Sequence, residues 1–108
     1  MKKLYPATCY GNSMELYLKK GKYENKDRLF IQSYESDGFP WATLSINIPE
    51  FNIKNENCAL IDIMNCFWAP AFLEQNNIAK PTGRSTWSGY PEYEFNTDIL
   101  NELNEFKK

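Results

Sequence analysis

The chain has 108 residues, 12 basic and 14 acidic, for a formal net charge of −2, and 43% of it is hydrophobic. That length fits one domain over residues 1–108, and the composition is that of a folding chain. It also excludes much: weak negative charge disfavours binding that rests on phosphate neutralisation, no apolar run nears the ~18 residues that span a bilayer, and histidine is absent.

Without imidazole the usual general base and zinc ligand are missing, as is every Ser-His or Cys-His pair. Cys9, Cys58 and Cys66 are odd in number and form no CxxC. Free thiols in a reducing compartment follow, the cytoplasm by default. No metal, cofactor or membrane contact is expected. The start, Met1 to Pro6, carries two lysines and no apolar h-region, so no signal peptide is expected there. Charge is uneven: residues 1–54 hold eight Lys/Arg and six Asp/Glu, residues 55–108 four and eight.

Leu4 to Tyr10 reads as a strand, followed by a turn at Tyr10-Gly11-Asn12-Ser13. Met14, Leu16 and Leu18 alternate with polar residues, which predicts a paired second strand. The polar stretch Lys20 to Arg28 is a connection. Leu29 to Glu35 is a third strand, closed by the turn Ser36-Asp37-Gly38. Trp41 to Ile48 is the clearest strand: Ala42, Leu44, Ile46 and Ile48 share one face and Trp41, Thr43, Ser45 and Asn47 the other. Phe51 to Asn57 is a loop. Cys58 to Met64 is apolar on both faces apart from Asp62, so it predicts a central strand with a buried carboxylate. Pro70 suits the first turn of a short helix from Ala69 to about Asn76. Ile78 to Gly89 is punctuated by Pro81-Thr82-Gly83 and Ser88-Gly89 and reads as irregular. Tyr90 to Phe95 reads as an edge strand, because Pro91 donates no ladder hydrogen bond. Asn96 or Thr97 caps a last helix over 97–106, closed by Lys107 and Lys108. The order predicts an α+β fold: an antiparallel sheet of five to six strands, with a short central helix and a C-terminal helix on one face.

Four segments stand out together: Gly21-Lys22-Tyr23; Trp41-Ala-Thr-Leu-Ser-Ile-Asn47; Asp62-x-x-Asn65-Cys66-x-Trp68-Ala69-x-x-Phe72; and Pro81-Thr82-Gly83 with Ser88-Gly89-Tyr90 and Tyr93-x-Phe95. With them the chain resembles an uncharacterised domain-of-unknown-function family of small proteins from mobile elements and phages of Firmicutes. The resemblance implies a small soluble domain and that genomic setting. It implies no reaction.

Three places carry candidate chemistry. At the corner of Asp62, Asn65 and Cys66, the sharp reading is a cysteine activated at a helix N-terminus; the bland one is a structural knot in which the two polar side chains bond exposed backbone and the thiol packs. The loop from Arg84 to Tyr90 interleaves Arg84, Trp87 and Tyr90 with small residues. Those three types dominate binding hot spots, whereas Trp87 closing the core is the plainer account. The row Asp98, Glu102 and Glu105 is either a solvated helix face or an acidic surface suited to a basic groove. Lys19, Lys20, Lys22, Lys26 and Arg28 form the only basic cluster.

The leading expectation is therefore a non-enzymatic protein that binds a protein partner, in its sharpest form an inhibitor of a bacterial defence system. The contacts would be Arg84, Trp87, Tyr90, Asp98, Glu102 and Glu105. A small nucleic-acid-binding accessory factor stands second, using the basic cluster with exposed aromatics. A thiol enzyme at Cys66 stands third.

Overall fold

A computed structural model describes residues 2–106; Lys107 and Lys108, expected to close the last helix, lie outside them. The order is β1 (Tyr5–Cys9), β2 (Asn12–Lys22), β3 (Leu29–Glu35), β4 (Pro40–Thr43), β5 (Ser45–Ile46), β6 (Cys58–Ile61), α1 (Ala69–Gln75), β7 (Ala79–Ser85), β8 (Pro91–Phe95), α2 (Thr97–Glu102) and β9 (Asn104–Glu105). The fold is α+β, with two short helices and strands that pair antiparallel except β9, which runs parallel to β2. Its strands divide between two sheets, one ordered β1-β2-β3-β4 with β9 added against β2, the other β5-β6-β8-β7.

The first hairpin forms where expected. Tyr10 (φ 55°) and Gly11 (φ 81°) are both left-handed, and Cys9 faces Asn12 across them. Two such residues make the tight turn whose twist matches paired strands. Strand β2 runs on to Lys22, past the expected end, because Lys20, Gly21 and Lys22 pair with Ile31, Phe30 and Leu29.

The predicted strand Trp41 to Ile48 is broken at Leu44. Its N–H donates to the Ile31 carbonyl (2.9 Å) and its carbonyl accepts from the Asp62 N–H (2.8 Å). Leu44 thus hands the chain from the first sheet to the second, fully buried at the seam. Ser45, placed by alternation on an outer face, is buried instead. Its hydroxyl accepts the Ile31 N–H (3.0 Å) and meets the Tyr23 hydroxyl (2.9 Å).

Two further expectations need correction. Residues 79–85, read as irregular, form β7; Pro81 is tolerated because the strand is a sheet edge, and Gly83 lies within its register shift. Strand β8, read as an edge, lies between β6 and β7. Pro91 occupies its first position, opposite Ser85. The last helix is also shorter than 97–106. Asn96 caps it, accepting from the N–H of Asp98 (2.9 Å) and Ile99 (3.3 Å). It stops at Glu102 because the chain turns extended at Leu103 (ψ 139°) and residues 104–105 pair with Lys19 and Lys20.

Helix α1 packs on both β1 and β7, the outer strands of the two sheets. Its buried Ala69, Phe72 and Leu73 join Leu16, Ile31, Ile61, Ile78 and Phe95 in a core continuous across the seam. Among the described residues, no helix is long and apolar enough to cross a membrane.

Candidate protein-binding surface

The loop between β7 and β8 is pinned by its own backbone. Thr86 N–H donates to the Tyr90 carbonyl (2.9 Å) and Gly89 N–H to the Thr86 carbonyl (3.0 Å). The Thr86 hydroxyl accepts the Tyr90 N–H (3.0 Å) and meets the Ser88 hydroxyl (3.0 Å). Gly89 (φ 102°) supplies the left-handed step that returns the chain. Trp87 sits at the apex, fully exposed at 102% of its reference surface; it does not close the core. Tyr90 is half-buried beside it.

Arg84 is held internally. Its Nη1 donates to both carboxylate oxygens of Glu92 (3.2 Å each) and its Nη2 to the Asn52 carbonyl (2.6 Å). The guanidinium also lies 4.8 Å from the Phe51 ring centre. Glu92 is fully buried and accepts as well from the Lys54 N–H (2.7 Å) and the Thr82 hydroxyl (2.7 Å). The clasp ties the 51–55 loop to the base of the hairpin. Nearby, Lys54 pairs with Glu94 (3.2 Å); that bridge and the Asn55 amide hold the half-buried Glu94 carboxyl below its usual range. The buried carboxylate expected at Asp62 is thus found at Glu92. A sequence signal existed for it: Arg84 and Glu92 are opposite charges equally spaced from the centre of a hairpin loop.

Asp62 lies outside β6, in a turn, and is only half-buried. Its carboxylate accepts from the Asn65 N–H (3.3 Å) and the Asn65 amide (2.8 Å), and its carbonyl accepts the Cys66 N–H (2.8 Å). Cys66 is buried and its thiol donates to the Thr43 carbonyl (3.4 Å). Burial, then the negative charge of Asp62 and the nearby Cys9, push that thiol up to about 11. A nucleophilic cysteine needs the opposite shift. Hydrogen bonds thus join Asp62 to Asn65 and Cys66 at this corner.

The acidic row does not lie on one element. Asp98 and Glu102 are exposed on α2, while Glu105 is exposed on β9. The basic cluster is largely spent on the fold. Lys20 donates to the Leu100 carbonyl (2.7 Å), Lys26 to Pro49 (3.1 Å), and Arg28 to Ile48 (2.8 Å) and Pro49 (3.2 Å). Lys19 lies over Tyr34 (5.0 Å), which stacks on Tyr17. Among the described residues, no group of three His, Cys, Asp or Glu is placed to hold a metal ion.

Sequence reasoning passed over a second exposed apolar cluster. Tyr10, Met64 and Phe67 are largely solvent-facing, and the Tyr10 and Phe67 rings meet edge to face at 5.3 Å. The available signal was an aromatic at the centre of a tight hairpin turn, where a side chain points away from both strands.

These features define a small two-sheet α+β domain that displays aromatic side chains on stapled turns. The chain belongs to the family described as Domain of unknown function (DUF4313), whose model matches residues 16–108. Comparison with curated proteins and with solved structures finds no match.

Proposed function

We propose that this chain is a non-enzymatic binding protein that engages a protein partner through the β7–β8 tip. Trp87 is the single observation that carries the reading. A tryptophan left wholly in water adds nothing to the fold, and a loop already locked loses little entropy on docking. Tyr90 flanks the contact, while Arg84 and Glu92 hold the hairpin that presents it. Asp98, Glu102 and Glu105 form a further acidic surface for a basic partner. The finer form of the proposal is a cytoplasmic protein of mobile-element or phage origin that inhibits a bacterial defence system. Its support is the resemblance of the sequence to proteins of that setting, together with three buried free thiols suited to a reducing compartment.

The nucleic-acid reading is weaker, because Lys20, Lys26 and Arg28 are committed to backbone carbonyls. Affinity capture from bacterial lysate at low and high salt tests the choice. A salt-resistant protein partner that Trp87→Ala loses is the expected result. Capture of nucleic acid that salt releases, or full retention of the partner by the variant, would sink the proposal.

A further inference from the structure

Beside the Tyr10 ring lies a shallow depression of about 400 Å³. Tyr10, Trp41, Thr43, Asp62, Asn65 and Trp68 border it. The β1–β2 turn supplies the tyrosine, β4 supplies Trp41 and Thr43, and the segment after β6 supplies the rest. The Tyr10 hydroxyl donates to the Asn65 carbonyl (3.2 Å), which fixes its ring against that segment. No lysine or arginine borders the depression, and Asp62 alone brings a formal charge. That charge is felt locally: it helps raise both the Cys66 thiol and the Tyr23 phenol. Each Asp62 oxygen accepts one hydrogen bond from Asn65, so each retains a free lone pair.

Two accessible aromatic rings, Tyr10 and Trp41, with one carboxylate and no cation select for positive charge carried on a flat, weakly hydrated group. A neutral apolar occupant would strip water from Asp62 and leave it unpaired. An anion would be repelled. An ammonium is compact and strongly hydrated, and stacks less well than a guanidinium. A second copy of this chain is a poor source, because Arg28 and Arg84, its two arginines, are both engaged internally.

We infer that this depression receives the guanidinium of an arginine side chain from a different protein, stacked on Tyr10 and Trp41 with its charge toward Asp62, while the buried Trp68 closes the floor. The identity of the occupant rests on the proposal that the chain binds a protein; the chemistry of the groove does not.

The test titrates the isotope-labelled full chain with N-acetyl-arginine amide and follows the three indole N–H signals by NMR. Saturable shifts at Trp41, with Trp87 unmoved, are expected. Capped citrulline, which keeps the shape and loses the charge, should bind at least about tenfold more weakly, and capped lysine should also bind more weakly than arginine. Asp62→Asn should abolish the preference for arginine over citrulline. Should that variant misfold, Tyr10→Ala, at an exposed turn position, should weaken binding in a chain with an otherwise native spectrum. Equal binding of citrulline or lysine, shifts confined to Trp87, or no shifts at all would overturn the assignment. Because the probe is a single capped residue, these outcomes stand apart from whether lysate capture finds a partner.

Discussion

Replacing Glu92 by glutamine tests whether the clasp, rather than the corner at Asp62, is the polar keystone of the fold. The carboxylate is fully buried and receives the Lys54 N–H, the Thr82 hydroxyl and the Arg84 guanidinium. Hydrogen bonds to a charged group contribute ~1.5–3 kcal/mol each. The carboxamide keeps one acceptor and turns its NH₂ toward a donor, so at least one bond becomes a donor–donor conflict. The Arg84 side chain is 42% exposed, and its freed guanidinium rehydrates, which holds the loss toward the lower end. We expect about 2–4 kcal/mol, equivalent to a fall in Tm of roughly 10–25 °C for a domain of this size. Arg84→Met should cost a similar amount, because it strands a buried carboxylate with two neutral donors. The double variant should then cost less than the sum of the two by about 1 kcal/mol or more. Urea unfolding followed by tryptophan fluorescence reads all three. A loss under about 0.5 kcal/mol for Glu92→Gln, or strict additivity in the cycle, would refute the clasp.

Other perturbations separate the remaining features. Trp87→Ala should leave stability within about 0.5 kcal/mol of the parent; a large drop in Tm would show that the indole packs. Asn96→Ala removes the cap of α2 and should cost about 1 kcal/mol by urea unfolding, with no loss if the two N–H bonds are immaterial. Iodoacetamide near pH 8 should leave Cys66 unlabelled in the native chain and label it after denaturation; stoichiometric native labelling would contradict its burial. Stability should also fall with rising pH between about 9 and 11. There the unfolded chain releases the Cys66 proton and the folded chain retains it, so alkali favours unfolding. Cys66→Ala should flatten that part of the pH profile, and an unchanged slope would assign the loss to other groups.

Local pattern carried the reading of the fold as far as neighbours in sequence decide structure. The Tyr10-Gly11 turn, the strand Leu29 to Glu35, the Pro70 helix and a cap at Asn96 or Thr97 each depend on a few adjacent residues; all four are present, with the cap falling on Asn96. Failures fall where distant partners decide. Alternation from Trp41 to Ile48 is consistent with one strand, yet Leu44 bonds Ile31 on one side and Asp62 on the other, which splits it between two sheets. Pro81 and Gly83 look like loop punctuation, yet an edge strand accommodates both. The helix periodicity past Glu102 is real but loses to pairing of residues 104–105 with β2.

The candidate site shows the same division in sharper form. Arg84, Trp87 and Tyr90 were legible as a group because their types and spacing are local facts. Their roles were not, because exposure and ion pairing are tertiary. Arg84 faces Glu92 only once the hairpin closes, and the pairing that engages the partly exposed Arg84 is what fixes the tip carrying Trp87. An ion pair with one buried partner is weak evidence of stability on its own. Here its geometry has a second effect: it anchors the strands on both sides of a loop whose central side chain touches nothing. A fold that needed Trp87 for its core would bury it, and a flexible loop would not bond Thr86 to Tyr90 and Gly89. The combination of a locked backbone with a fully exposed indole is what the proposed recognition role requires, since a fixed tip presents the ring at little further cost in entropy.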